Sequence, residues 1–207
     1  MSEILDFTPE KRLLKPSIID VLLYKIITLF SLYFALFGKL FGVSYRAILS
    51  ILTITLFGIK NGYSLDNIRA IIGQARLETA DFTSPMAIKD YNIFGMHFPF
   101  VRDTYCSHAR WNASENADVC VYKSYLDSVL DRFHWETQWT TIPINRNAPQ
   151  YDYMDAVNTN YNASTSNYME LWLNKVNEKP SQFDKVCYSI IASVVLPLLI
   201  INFKPKP

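Results

Sequence analysis

Apolar residues crowd the two ends of the chain, and between them apolar and polar positions alternate with the periods of ordinary globular structure. Residues 18 to 41 are rich in Leu, Ile, Phe and Tyr, with the charges Asp20, Lys25 and Lys39 toward the ends. That length suits one membrane-spanning helix whose lysine stems lie along apolar surface with their amines at the interface. The competing reading is a buried or interfacial helix. Residues 44 to 57 predict a second apolar helix, short for a span, which reads as the first helix of the folded domain; a membrane hairpin with the preceding segment is the alternative. Residues 186 to 203 run for eighteen positions without a charge between Lys185 and Lys204. That is enough to cross a bilayer, the alternative being a buried C-terminal helix.

The middle of the chain reads as one folded unit. Gly58, Asn61 and Gly62 break the backbone, and Ser64 or Asp66 caps a helix from Leu65 to about Ala80. Leu65, Ile68, Ile72, Ala75 and Leu77 give that helix its buried side. Asn92 to Pro99 is a loop rich in aromatics, and the alternation Val119-Cys120-Val121-Tyr122 predicts a small hairpin with a polar tip at Trp111 to Asp118. Helices are expected over 126–139, 151–157 and 168–176, with Pro143 and Pro149 bracketing a linker. The implied organisation is a polar tail (1–17), an apolar membrane segment (18–42), one domain (43–180) and a second apolar membrane segment (186–203).

Composition narrows the functional classes. The 207 residues allow one domain with appendages. With a net charge of +1 and no basic stripe interleaved with aromatics, nucleic acid is not an expected partner. The three cysteines lack metal-ligand spacing, and no metal or organic cofactor is implied. Cys106 and Cys120 share one polar stretch and are candidates for a disulfide in an oxidising compartment, the alternative being two free thiols. No small-residue cleavage site follows the first apolar run, so no cleavable signal peptide is expected. Lys11, Arg12 and Lys15 precede that run, and Lys204 and Lys206 follow the last one. Positive residues near span ends stay cytoplasmic, so two spans would leave the domain on the cell-wall (periplasmic) side of a membrane.

The candidate chemistry centres on Gly73-Gln74-Ala75-Arg76-Leu77-Glu78-Thr79-Ala80, followed by Tyr91-Asn92-Ile93-Phe94-Gly95-Met96. Glu78 falls near a helix C-terminus, from which its carboxylate can project into a cleft. Gln74, one turn earlier on the same face, can hydrogen-bond it or a substrate. Placement against Phe82, Phe94 and Met96 would disfavour the charged form, as a general acid near neutral pH requires. Glycoside cleavage needs such a donor because the departing sugar oxygen is a poor leaving group. A solvated glutamate at a helix end is the plainer reading of the spacing alone.

Three motifs in order, Gln74-x-x-x-Glu78-Thr79, Asn92-Ile93-Phe94-Gly95-Met96 and Tyr122-x-Ser124-Tyr125-x-x-Ser128-x-x-Asp131, resemble the glucosaminidase family of bacterial and phage cell-wall hydrolases. That family belongs to the lysozyme-like superfamily, and the resemblance covers about residues 60 to 175. It implies a mainly α, lysozyme-like domain with a small β-hairpin along a glycan groove. Glu78 would be the catalytic acid, with Gln74, Asn92, Phe94, Gly95 and Tyr122 around the substrate. Tyr161 and Tyr168 are similar to the paired tyrosines of a late family motif, the first of which lines the cleft. The implied substrate is peptidoglycan, and no cofactor is implied.

Plainer roles compete at each position. Gly95 can serve only a positive backbone torsion. Phe94, Met96, Tyr122, Trp135 and Trp139 can be core, and Asp131 can pair locally. His97, His108 and His134 have no partner spacing and are assigned no chemistry. The sequence also departs from the family pattern. Many members carry a Glu in the hairpin strand as second carboxylate, whereas here Asp103, Glu115 and Asp118 are the acids of that region and none matches the position. The late tyrosine motif carries an extra residue and lacks its usual aspartate.

The missing role can fall to the substrate's own 2-acetamido group, positioned by Tyr161, or be avoided by lytic transglycosylase chemistry; a muramidase cut is a further variant. Membrane segments around so small a hydrolase suggest a phage protein, either a virion-membrane component that helps the phage into the cell or a lysis protein. The alternatives are an inactive lysozyme-like assembly protein and a small multi-span membrane protein.

Overall fold

The computed structural model describes residues 16–38, 44–99, 102–138, 140, 144–161 and 167–178. In chain order the elements are α1 (Ile18–Gly38), α2 (Tyr45–Lys60), α3 (Leu65–Glu78), α4 (Pro85–Lys89), β1 (His108–Asn112), β2 (Ala117–Val121), α5 (Tyr125–Gln138), α6 (Gln150–Tyr161) and α7 (Tyr168–Asn177). The architecture is mainly helical with one two-stranded antiparallel sheet.

α2 is the core of the assembly. It is apolar on every side, and such a helix is stable only when surrounded; Ala47 through Gly58 are all buried, with α1, α3 and α5 packed around it. The helix expected over 44–57 is therefore interior to the domain. α3 lies on α2, α6 and α7. Two glycines set the approach of α3 to its neighbours. A Cβ on Gly58 would stand 2.8 Å from Ile68 Cγ1, and one on Gly73 would stand 2.6 Å from Val176 Cγ2.

α1 differs from its expected role. Among the described residues no helix is long and apolar enough to cross a membrane. Instead α1 packs on α2, burying Asp20, Leu23 and Ile27. Asp20, which reads in sequence as a charge flanking a span, is an internal partner: it accepts from Ser17 Oγ at 2.8 Å and is ion-paired with Lys60 at the end of α2. The second expected span, 186–203, Cys187 and Trp139 lie outside the described residues.

The remaining elements follow local chemistry. Ser64, rather than Asp66, caps α3, its hydroxyl accepting from Asn67 N at 3.2 Å. α3 stops at Glu78 because Ala80, Asp81 and Phe82 take left-handed backbone angles (φ 47°, 57° and 65°). The short α4 was not anticipated, although Ser84-Pro85 is a cap followed by a first-turn proline. β1 and β2 pair from His108↔Val121 to Asn112↔Ala117. The hairpin tip is thus shorter than 111–118, because Trp111, Asn112, Ala117 and Asp118 belong to the ladder.

Candidate active site

Glu78 is the last residue of α3, and the left-handed turn behind it leaves its carboxylate pointing out of the helix end. Thr79 holds that turn: its hydroxyl accepts from Phe82 N at 3.0 Å and donates to Ala75 O at 2.5 Å. The carboxylate enters a cleft of about 790 Å³ also lined by Gly95, Met96, His97, Glu115, Trp135 and Tyr161. Burial pushes the Glu78 pKa above the usual carboxylate value. A hydrogen bond from the Tyr168 hydroxyl to Oε1 pulls the other way, and the nearby Glu115 adds to the rise.

The facing wall is the loop from Asn92 to Met96. Asn92 is fully buried and pins it: Nδ2 donates to Met96 O (2.9 Å) and Cys120 O (3.1 Å), while Oδ1 accepts from Met96 N (3.0 Å). Ile93 N donates to Ser128 Oγ on α5 at 3.3 Å. Gly95 has φ 64°, and a Cβ there would stand 3.1 Å from Glu78 Oε2. Glycine therefore supplies both the torsion and the clearance for the acid. The Phe94 ring is buried, and its carbonyl accepts from the Tyr161 hydroxyl.

The third motif forms the back of the site. Tyr122 is buried and donates to Asp131 Oδ2 at 2.8 Å. Asp131 also receives both terminal nitrogens of Arg102 at 2.9 Å, Thr104 Oγ1 at 2.8 Å and Tyr105 N at 3.0 Å. This clamp ties the segment before the hairpin to α5. Burial alone would raise the Asp131 pKa, but Arg102 with Tyr122 outweighs it and holds the carboxyl below its usual value.

Of the residues singled out from sequence, Glu78, Gly95 and Tyr161 line the cleft. Gln74, Asn92, Phe94 and Tyr122 lie behind the cleft wall, each 2% exposed or less. They build the site instead. Gln74 hydrogen-bonds Tyr168 and Arg132 rather than Glu78. Cys106 and Cys120 are free thiols; Cys106 Sγ donates to His108 O at 3.1 Å and Cys120 Sγ to His97 O at 3.5 Å. Cys120 sits opposite Ala109 in the ladder and Cys106 precedes β1, so the pair takes the alternative of two free thiols and not the disulfide.

Sequence reasoning passed over three cleft residues. Glu115, in the hairpin turn, accepts from Asn112 Nδ2 at 3.0 Å and lies 2.9 Å from His97 Nε2. Neither the acid nor the histidine has a sequence spacing that signals the pair, because the hairpin fold brings them together. Trp135, expected in the core, is half-buried and lines the cleft.

No protein-family model matches the chain, and no curated protein matches it. Two solved structures are similar. One is a type VI secretion system effector–immunity complex from Pseudomonas protegens, with 13% identity, 63% of this chain and 89% of that chain covered, and a TM-score of 0.44. The other is the catalytic domain of the autolysin Auto from Listeria monocytogenes, with 18% identity, coverage of 69% and 84%, and the same TM-score of 0.44.

Proposed function

We propose that this protein cleaves the glycan strands of peptidoglycan as a lysozyme-like hydrolase of glucosaminidase type, with Glu78 as general acid. The observation that carries this reading is the Glu78 carboxyl group, half-buried at the end of α3 on the wall of an open groove beside Gly95, with a raised pKa. Such a group stays protonated long enough to deliver its proton to a departing glycosidic oxygen.

Glu115 lines the same groove, fixed by Asn112 and paired with His97. It takes the role of the second carboxylate, accepting a proton from the attacking water as Glu78 protonates the leaving sugar oxygen. Tyr161 holds the Phe94 carbonyl with its hydroxyl and offers its ring to the groove, so it shapes the loop rather than exchanging protons. The apolar outer side of α1 supports attachment to a lipid surface, with the cleft on the wall side of that membrane.

The test is digestion of purified peptidoglycan by the full chain, with mass analysis of the products. Reducing ends are expected, and anhydro ends would assign a transglycosylase instead. Glu78→Gln should lose about 10²-fold or more of the rate, the usual effect of removing a general acid. A Gln variant with near-native rate would remove Glu78 from the mechanism.

A further inference from the structure

Behind Glu78 lies a buried chain of polar side chains that no step above uses. Arg132 on α5 is fully buried and ion-paired with Glu136, whose carboxylate also accepts from the Tyr63 and Tyr153 hydroxyls. Its guanidinium carbon lies 4.7 Å from the Trp135 ring centroid and 5.7 Å from that of Tyr161. It is thus held rigidly beneath the cleft wall. Arg132 Nη2 and Nε reach Gln74 Oε1 at 2.9 and 3.3 Å, Gln74 Nε2 reaches the Tyr168 hydroxyl at 3.2 Å, and that hydroxyl bonds Glu78 Oε1.

The direction of each bond is forced. A guanidinium has donors and no acceptor, so Gln74 must present its carbonyl oxygen to Arg132 and its amide nitrogen to Tyr168. An amide nitrogen only donates, so the Tyr168 oxygen accepts there and its single hydrogen goes to Glu78 Oε1. A proton carried on Oε1 would meet that hydrogen head-on. The acid's own proton therefore sits on Oε2, the oxygen beside Gly95 that faces the cleft.

We propose that Arg132 is a positioning residue: acting through Gln74 and Tyr168, it dictates which oxygen of Glu78 carries the proton to be transferred. The proposal rests on the reading of Glu78 as the acid. Arginine stays charged at every accessible pH, so the relay cannot reverse as pH changes. The hydrogen bonds of the guanidinium run to Gln74 Oε1, while Glu136 is its ion-pair partner, so Gln74 is the group that links Arg132 to Tyr168 and Glu78. The groups facing Glu78 are Tyr168 on α7, Arg132 on α5, Tyr161 on α6, Glu115 in the hairpin turn and His97 beyond Gly95.

The experiment is a double-mutant cycle in the full chain with two readouts, carboxyl carbon-13 NMR titration of Glu78 and the pH profile of peptidoglycan cleavage. Thermal unfolding of each variant verifies the fold. Tyr168→Phe removes the donor to the charged form and should move the Glu78 titration upward. Gln74→Met should move it the same way, and in the Tyr168→Phe background it should add nothing. Gln74→Glu keeps the shape and the Arg132 contact but offers only acceptors when ionised. Tyr168 then turns toward it, the Glu78 titration rises, and the rate falls by up to about tenfold, the equivalent of one hydrogen bond.

Arg132→Gln, if it folds, should raise the titration in two parts. The through-space part survives in the Tyr168→Phe background and the relayed part does not. Independent, additive effects of Gln74 and Tyr168, or a Gln74→Glu variant with an unmoved Glu78 titration, would overturn the relay. The NMR titration decides this even if the wild-type chain cleaves no peptidoglycan, an outcome that would count against the functional reading alone.

Discussion

Glu78 and Asp131 are carboxylates with opposite fates, and the contrast separates catalysis from structure. Burial raises the Glu78 pKa, so the folded chain binds a proton there more tightly than the unfolded chain, whose glutamates titrate near about 4.3. The sign follows from linkage: the group favours folding most at low pH, and that contribution shrinks as pH rises through the raised folded value. At neutral pH Glu78 therefore costs stability, and Glu78→Gln should raise the denaturation midpoint while abolishing cleavage. A lowered midpoint would contradict the burial argument. For Asp131, burial is outweighed by Arg102 and the pKa falls. Its contribution is present above the unfolded value of about 3.9 and is lost as pH falls below that toward the folded one. Asp131→Asn should cost about 3–5 kcal/mol, because Arg102, 6% exposed, is left without its counter-charge. Denaturant melts between neutral and acid pH test both statements: the variant should lose less stability on acidification than the wild type.

At this scale Glu78, Gly95 and Tyr161 were legible from motif order. Gln74, Asn92, Phe94 and Tyr122 were legible as neighbours of the site but not as buried groups behind its wall. Sequence marks that a side chain is needed near the site, and only packing decides whether it faces the cleft or holds a neighbour that does. Glu115 and His97 were not legible, because their meeting depends on hairpin register and a turn rather than on spacing.

Between elements, the contact of α3 with α7 does most to assemble the site. It carries Tyr168 over Glu78, and Gly73 sets its distance. Trp172 Nε1 donates to Ala70 O at 2.7 Å in the same interface, fixing the rotation of α7 on α3. Gly73→Ala would put a Cβ 2.6 Å from Val176 Cγ2, and the two helices must part to accept it. Overpacking of this kind costs about 1–3 kcal/mol. The expected result is lower stability together with lower activity, as Tyr168 withdraws from Glu78. Adding Val176→Ala should restore most of both, and no recovery of activity in the double variant would show that helix separation is not the cause. The helices themselves were well marked by apolar periodicity, since α2, α3, α5, α6 and α7 all lie where the pattern predicts them. What periodicity could not supply was the end of α3, because its terminus is set by left-handed residues, none of them glycine.

For the whole molecule, α1 is where pattern and structure part. An apolar helix is compatible with a bilayer, a core or a surface between them, and its composition does not choose. α1 has two sides: Asp20, Leu23 and Ile27 turn inward to α2, while Ile18, Ile19, Val21, Leu22, Leu29 and Leu32 are 41–88% exposed. A helix half committed to the domain cannot also be surrounded by lipid, but its outer side can lie in the interface of a membrane, each leucine contributing about 1.5–3 kcal/mol when fully buried. The expected result is that the full chain sediments with lipid vesicles and that Leu22→Glu with Leu29→Glu weakens this tenfold or more. Because both side chains are outside the core, the double variant should keep its thermal midpoint and its rate on detached peptidoglycan fragments. Ile27→Glu is the contrasting control, since it places a charge on the buried side of α1 against α2 and should unfold the chain. Unchanged sedimentation of the Leu22, Leu29 variant would take the lipid surface away from α1.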